Sequence, residues 1–209
     1  MTAPLPPLRA SSLTPRPTEE RPQASEEGPG PFDDLPGDLM IWVLIVSELL
    51  VFGAGLVALL AVRLTDPAGF AAAQDQLHRV GAGINTLILI TSGWLAARGA
   101  AAAHVQDKAV ARRNLLMAAA LGLGFLAIKA SEFAGLAGLG IGTETHPFYT
   151  FYFLLTGFHA AHVLAGVVIL GLLAVRPTAY ATENGVAFWH MVDLVWVILF
   201  PVIYLVRVT

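Results

Sequence analysis

Two long apolar runs near the C-terminus constrain the fold of this chain more than any other feature. They cover about residues 148–175 and 186–206. At about 1.5 Å per residue, each run is long enough to cross the roughly 30 Å hydrocarbon core of a bilayer as an α-helix. The two runs therefore predict two transmembrane helices.

Four ionisable side chains interrupt these runs: His159 and His162 in the first, His190 and Asp193 in the second. The members of each pair are three residues apart, which puts them about 60° apart on a helix and on one face. An ionisable group at the bilayer centre costs on the order of 2.5 kcal/mol or more unless it faces a partner. The pattern predicts a polar seam that faces other protein.

The composition fits a membrane protein throughout. The chain is 56% hydrophobic and 13% charged, with a mean hydropathy of +0.69, values that exclude a soluble domain. The absence of cysteine excludes disulfides, thiolate metal sites and the covalent attachment of c-type haem. The net charge of -3 carries no nucleic-acid signature, so we expect no nucleic-acid partner.

The full sequence predicts an all-α bundle of five transmembrane helices behind a disordered N-terminal leader. Residues 1–37 are rich in Pro, Ser, Thr and Glu and lack apolar periodicity, so we expect a flexible, Pro-rich cytoplasmic leader. Residues 38–209 form the predicted membrane domain. Its spans cover about residues 39–62, 83–103, 115–136, 148–175 and 186–206.

The basic residues predict the orientation of the bundle. With the N-terminus inside, eight Lys and Arg residues lie inside and three lie outside, and the difference remains five against three when the leader is left out. Because cytoplasmic loops are enriched in Lys and Arg, the count predicts a cytoplasmic N-terminus and a periplasmic C-terminus. The inside residues are Arg9, Arg16, Arg21, Arg98, Lys108, Arg112, Arg113 and Arg176, and the outside ones are Arg63, Arg79 and Arg207.

Three further ionisable residues lie within the predicted spans. Lys129 and Glu132, three residues apart in the third span, indicate a neutralised pair, with a substrate path as the alternative. Glu48 in the first span has no cation within one helical turn, so its partner must come from another helix. A histidine of the fourth span is the expected partner, and a lipid head group or a proton is the alternative. We expect Glu48, His159 and Asp193 to belong to one buried network.

Other interpretations of the buried histidines are open at this point. A metal or haem site on His159, His162 or His190 would make the chain a membrane electron carrier. A proton relay through His190 and Asp193 is a second alternative. The buried ionisable groups also fit an independent transporter or channel, although the sequence has no internal repeat that would mark an inverted-repeat transporter.

Five segments of the chain resemble cytochrome c oxidase subunit III, in order, over residues 38–207. The most specific strings are T-G-F-H-A-A-H-V and W-H-M-V-D-L-V-W, which carry the four ionisable residues of the last two spans. The other segments are S-E-L-L-V-F-G around Glu48, I-N-T-L-I-L-I-T-S-G-W in the second span and K-A-S-E-F in the third. The usual family form has seven spans, so the chain resembles a short form that lacks the first two.

The resemblance implies a function for the whole chain. It implies a non-catalytic subunit of a haem-copper oxidase complex in a bacterial inner membrane, with no catalytic residue, cofactor or metal of its own. The implied partners are the haem-copper catalytic subunit, other subunits of the complex and membrane phospholipid. Glu48 matches a buried carboxylate that reacts with carbodiimide in the family. The short form is similar to an accessory protein of nitric oxide reductases and also to five-span oxidase subunits, so both complexes are open.

Overall fold

In this computed structural model the structure describes residues 39–206, so the predicted leader at residues 1–37 lies outside the described part. The described residues form a bundle of six α-helices. They are α1 (Leu39–Arg63), α2 (Pro67–Asp75), α3 (Arg79–His104), α4 (Lys108–Gly138), α5 (Pro147–Val175) and α6 (Ala179–Phe200), followed by a π-helical turn at Pro201–Leu205.

Five of these helices are long and apolar enough to cross a membrane: α1, α3, α4, α5, and α6 together with the π-turn. The predicted five-span, all-α fold is confirmed. Three helices begin earlier than the predicted apolar spans, α3 at Arg79, α4 at Lys108 and α6 at Ala179. The reason is that charged residues lie in their first two turns, so an uninterrupted apolar run starts only after the helix has begun. These residues are Arg79 in α3, Lys108 and Arg112 in α4, and Glu183 in α6.

Between the first two predicted spans, where no span is predicted, the chain forms the short helix α2. Asp66 caps α2 by accepting a hydrogen bond from the backbone N–H of Gly69 at 2.9 Å, and Pro67 occupies the first turn. The Asp66 carboxylate also lies 3.2 Å from His146, which caps α5. The Gly69 N–H and then His146 hold the pKa of Asp66 below its usual range. These capping contacts are not part of the apolar periodicity, so the periodicity alone does not predict α2.

Helix α6 lies at the centre of the bundle and packs against α1, α3 and α5, while α4 packs against α3 and α5. Small residues let the helices approach each other. The Trp189 ring of α6 is fully buried at Gly122 of α4 and Gly166 of α5, where added Cβ atoms would clash with the ring. This is the close packing on small residues that membrane helices use instead of hydrophobic collapse.

Polar side chains of α3 add hydrogen bonds between helices. Ser92 donates to the carbonyl of Ala118 at 2.8 Å on α4. Thr86 accepts a hydrogen bond from the Trp196 indole of α6 at 3.0 Å. Such bonds hold α3 in register with both neighbours, because hydrocarbon offers a polar group no other partner.

Candidate functional site

The ionisable residues predicted from the sequence lie in separate groups in the bundle. Glu48 and His162 join α1 to α5, Lys129 and Glu132 lie where α4 meets α5 and α6, and His190 and Asp193 lie where α6 meets α3. His159 belongs to none of these pairs. The expected single network of Glu48, His159 and Asp193 is therefore not what the geometry shows.

Glu48 has its partner across a helix interface, as its lack of an intrahelical cation suggested. The partner is His162, whose Nε2 lies 3.2 Å from a carboxylate oxygen of Glu48, an ion-pair distance without hydrogen-bond geometry. The other ring nitrogen of His162, Nδ1, is 2.9 Å from the carbonyl oxygen of Phe158 one turn earlier. Glu48 thus contacts the second histidine of α5 rather than His159, because His162 is the one that faces α1.

His159 is fully buried in an aromatic cluster. Its ring stacks on Trp196 with centroids 5.2 Å apart and meets Phe125 edge-on at 5.6 Å and Phe52 at 6.3 Å. Neither of its ring nitrogens has a hydrogen-bond partner among residues 39–206. The imidazole serves there as a flat packing group.

Lys129 lies at the centre of the most completely satisfied polar group in the bundle, which we call the lysine cluster: Lys129, Glu132, Tyr152 and Tyr204. The ammonium donates to Glu132 at 2.9 Å, to the Tyr152 hydroxyl at 3.1 Å and to the Tyr204 hydroxyl at 2.6 Å. Tyr204 in turn donates to the Glu132 carboxylate at 3.0 Å. All three ammonium donors therefore have an acceptor.

Aromatic rings enclose the lysine cluster. The ammonium nitrogen is 4.6 Å from the Tyr152 ring centroid and 5.3 Å from those of Phe133 and Trp196, within the range of cation–π attraction. Tyr204 comes from the π-turn, which begins at Pro201, where the missing N–H interrupts the α-helical pattern. The turn positions the Tyr204 hydroxyl between the ammonium and the carboxylate.

Two further polar side chains connect the C-terminal end of α6 to α1 and α2. Arg63 is buried and donates to the carbonyl of Val206, and Gln74 donates to the carbonyl of Ile203 at 2.7 Å. A cation and an amide thus satisfy carbonyl groups at the C-terminus of the helix, where the macrodipole favours positive charge. Residue spacing does not indicate the structural role of these two residues, or of Tyr152 and Tyr204, because their partners lie far away in sequence.

His190 and Asp193 form the group that is open to the outside of the bundle. His190 Nδ1 is 3.9 Å from the Asp193 carboxylate, and its side chain is 47% exposed. Asp193 is largely buried against Gly93 of α3, where a Cβ would clash with the carboxylate. The Oδ1 atom of Asp193 has no hydrogen-bond partner in the described part of the chain. Of this pair, the His190 ring is the part that another molecule can reach.

No three His, Asp or Glu side chains cluster closely enough to hold a metal ion within the described residues. The chemistry that the geometry supports is hydrogen bonding and helix packing. The Glu48–His162 pair, the lysine cluster and the contacts of Arg63 and Gln74 anchor helices to one another. His190 instead offers a half-exposed polar side chain to another molecule at mid-span.

Comparisons with known proteins agree in pointing to one family. A family model described as cytochrome c oxidase subunit III matches residues 38–208. The chain is 35% identical to cytochrome c oxidase subunit 3 of Corynebacterium diphtheriae over 176 residues, covering 79% of this chain and 86% of that protein. It is 30% identical to the Synechocystis protein of the same name over 174 residues, covering 78% and 72%.

Similarity extends to a second kind of oxidase. The chain is 28% identical over 178 residues to subunit 3 of the cytochrome bo(3) ubiquinol oxidase of Pseudomonas putida, covering 81% of this chain and 86% of that protein. The family model covers most of the chain, including all five membrane-spanning helices. From this coverage and the five-helix fold, we conclude that the chain belongs to the cytochrome c oxidase subunit III family.

Proposed function

We propose that this chain docks on the catalytic subunit of a haem-copper oxidase complex and stabilises it, without carrying out redox chemistry itself. Family membership supports a subunit of such a complex, since the relatives are named as subunit 3 of cytochrome c and ubiquinol oxidases. The docking face and the stabilising role go beyond family membership, and the exposed residues of α6 and α3 support them.

The half-exposed His190 at mid-span is the observation that carries the proposal. It begins an outward stripe on α6, which we call the α6 stripe: His190, Leu194, Val197 and Ile198. On the neighbouring helix, Ile90 and Trp94 flank Gly93 and are exposed as well. The face is apolar around one imidazole and one carboxylate.

Lipid cannot cover this face without a free-energy cost. Hydrocarbon gives the half-exposed His190 imidazole no hydrogen-bond partner, and polar groups at that depth face protein in almost all cases. A second membrane subunit that offers a donor or acceptor to this imidazole removes the cost. The occupant we infer is the catalytic subunit, because it is the membrane partner that family membership implies.

We also propose a bacterial inner membrane, with the N-terminus in the cytoplasm and the C-terminus in the periplasm. Lys and Arg are in excess near the turn from α3 to α4 and directly after α5, and this excess supports the orientation. Bound membrane phospholipid is a further proposed partner. Membership of the subunit III family does not favour an independent transporter or channel.

Photocrosslinking in native membranes tests the docking face. A benzophenone amino acid replaces Leu194 on the α6 stripe, and in a control it replaces Leu123 on α4. Both side chains are about half exposed, and both lie 15 residues after the start of their helices, so the probes sit at the same depth. We expect a crosslink to the haem-carrying subunit from position 194 and at least about tenfold less from position 123.

Equal crosslinking from the two positions, or a crosslink to the haem subunit from position 123 alone, would contradict the docking face. Leu123 is a suitable control because it lies on α4, whose main neighbours are α3 and α5, and not on either of the two helices that form the proposed face.

A further inference from the structure

A cavity of about 600 Å³ opens between α3 and α4, at the end of the bundle where α3 begins and α4 ends. Its volume falls in the range of small-molecule sites in proteins, about 300 to 1,000 Å³. Most of its wall is apolar, with Ile84 on the side of α3 and Ile128, Leu136 and Leu139 on the side of α4. A wall of this kind suits an apolar molecule, and the polar groups of the lining determine which one.

The cavity exists because a glycine lies on its α4 side. A Cβ atom added to Gly135 would meet no atom of the described chain within 4 Å, so the space beside this position is open. Ile84 and Leu139 are exposed in the same wall. A larger side chain at Gly135 would therefore fill the cavity without a clash against a neighbouring helix.

Glu132 gives the cavity a specific chemistry. It belongs to the lining although its side chain is only 10% exposed. Its carboxylate accepts hydrogen bonds from the Lys129 ammonium at 2.9 Å and from the Tyr204 hydroxyl at 3.0 Å. Because a carboxylate has about four lone-pair sites, Glu132 can accept a further hydrogen bond from a molecule in the cavity.

The charge balance around Glu132 selects a neutral ligand. Lys129 already compensates for the charge of this carboxylate, so a second cation would enter a buried site without a counter-ion. An anion fits no better, because none of the described residues that line the cavity is Lys or Arg. A neutral hydroxyl group, in contrast, donates a charge-assisted hydrogen bond to the carboxylate and adds no charge.

The depth of Glu132 fits a molecule that enters from the membrane. Helix α4 has 31 residues, so it is about 46 Å long against a hydrocarbon core of about 30 Å, and its ends extend into the head-group layer. Glu132 precedes Gly138, the last residue of the helix, by about 9 Å along the axis. A hydroxyl group on Glu132 would thus lie near the edge of the hydrocarbon, with Ile128 one turn deeper.

We propose that this cavity binds a neutral amphiphile with a hydroxyl group, an alcohol or phenol with an apolar body. The hydroxyl group donates to the Glu132 carboxylate, and the apolar body lies against Ile84 and Ile128. The site is at the end of α3 and α4, whereas the proposed docking face lies at mid-span on α3 and α6. The proposal is therefore independent of the docking face.

Competition photolabelling of the full-length chain in phosphatidylcholine nanodiscs tests the proposal. The label is 4-octylphenol with a diazirine in its alkyl chain, and the competitors are 4-octylphenol and its methyl ether, 4-octylanisole. The two competitors share ring and tail, but only the phenol can donate a hydrogen bond. We expect label on the peptides of α3 and α4 that line the cavity. We also expect at least about tenfold weaker competition by the ether, because it cannot donate to the carboxylate.

Two glycine variants test the position of the site. Gly135→Leu fills the cavity. Gly124→Leu makes the same change on the same helix and also has open space around it, but Gly124 does not line the cavity. We expect Gly135→Leu to reduce labelling at least about fivefold and Gly124→Leu to change it less than twofold. Thermal unfolding of both variants shows whether they are folded, and the comparison of phenol and ether on the wild-type chain does not depend on them.

Three results would overturn the proposal. Equal competition by 4-octylphenol and 4-octylanisole would mean that the cavity recognises only apolar bulk, as it would in an acyl chain. Stronger competition by dodecylammonium than by 4-octylphenol would mean that Glu132 binds a cation. Equal loss of labelling in Gly135→Leu and Gly124→Leu would mean that the label binds along the whole surface of α4.

Discussion

Replacing Lys129 by methionine will destabilise this chain by about 3 to 5 kcal/mol, because it leaves the Glu132 carboxylate buried without its cation. Lys129 is 1% exposed and donates to three acceptors, and the Glu132 side chain is only 10% exposed, so solvent can replace little of the lost interaction. The measurement is the free energy of unfolding of the purified chain, from a denaturing-detergent titration followed by circular dichroism.

The double variant Lys129→Met/Glu132→Gln separates the loss of charge pairing from the loss of packing. Its amide still accepts the hydrogen bond from Tyr204 and carries no charge, so we expect it to recover most of the lost stability. Arg113→Met on the exposed surface of α4 is the matched control and should change stability by less than about 0.5 kcal/mol. A double variant as unstable as the single one would show that the lysine stem, and not its charge, holds the cluster together.

The second large effect is expected at the Glu48–His162 pair. Glu48→Ala should cost about 1 to 3 kcal/mol, since it removes the carboxylate that faces the imidazole of His162 across the α1–α5 interface. Glu48→Gln should be mild, because an amide keeps the capacity to accept or donate a hydrogen bond. The unfolding titration used for Lys129 gives both values.

A double-mutant cycle identifies the partner of Glu48. Glu48→Ala with His162→Ala should cost less than the sum of the single changes by at least about 0.5 kcal/mol, as expected for residues that share one interaction. Glu48→Ala with His190→Ala should be additive, because the nearest acid to His190 is Asp193. Additivity in the first cycle would mean that the 3.2 Å contact contributes nothing to stability.

The sequence predicted those features that depend on local periodicity. The number of spans, the intrahelical pair of Lys129 and Glu132 and the need of Glu48 for a partner on another helix all follow from residue types and spacing. The identity of that partner does not. His159 and His162 are three residues apart on one face, and only the rotation of α5 against α1 decides that His162 meets Glu48 while His159 stacks on Trp196.

Other features depend on contacts between distant parts of the chain. Tyr152 and Tyr204 complete the lysine cluster from α5 and from the π-turn, and no periodicity in either segment indicates this. Arg63 and Gln74 meet the end of α6 from more than a hundred residues away, across the short helix α2 that the apolar pattern does not predict. Such contacts are fixed by packing, so only the three-dimensional structure reveals them.

The central claim is that this chain is a docked, non-catalytic subunit, and the distribution of haem after purification tests it most directly. The complex is isolated from membranes in mild detergent through an affinity tag on this chain, the chain is then separated from its partners, and absorption spectra and metal contents of both fractions are recorded. The account predicts haem in the isolated complex and, after separation, all of it with the partner fraction. A Soret band or stoichiometric copper that stays with the separated chain, or the absence of any haem subunit from the isolated material, would contradict it.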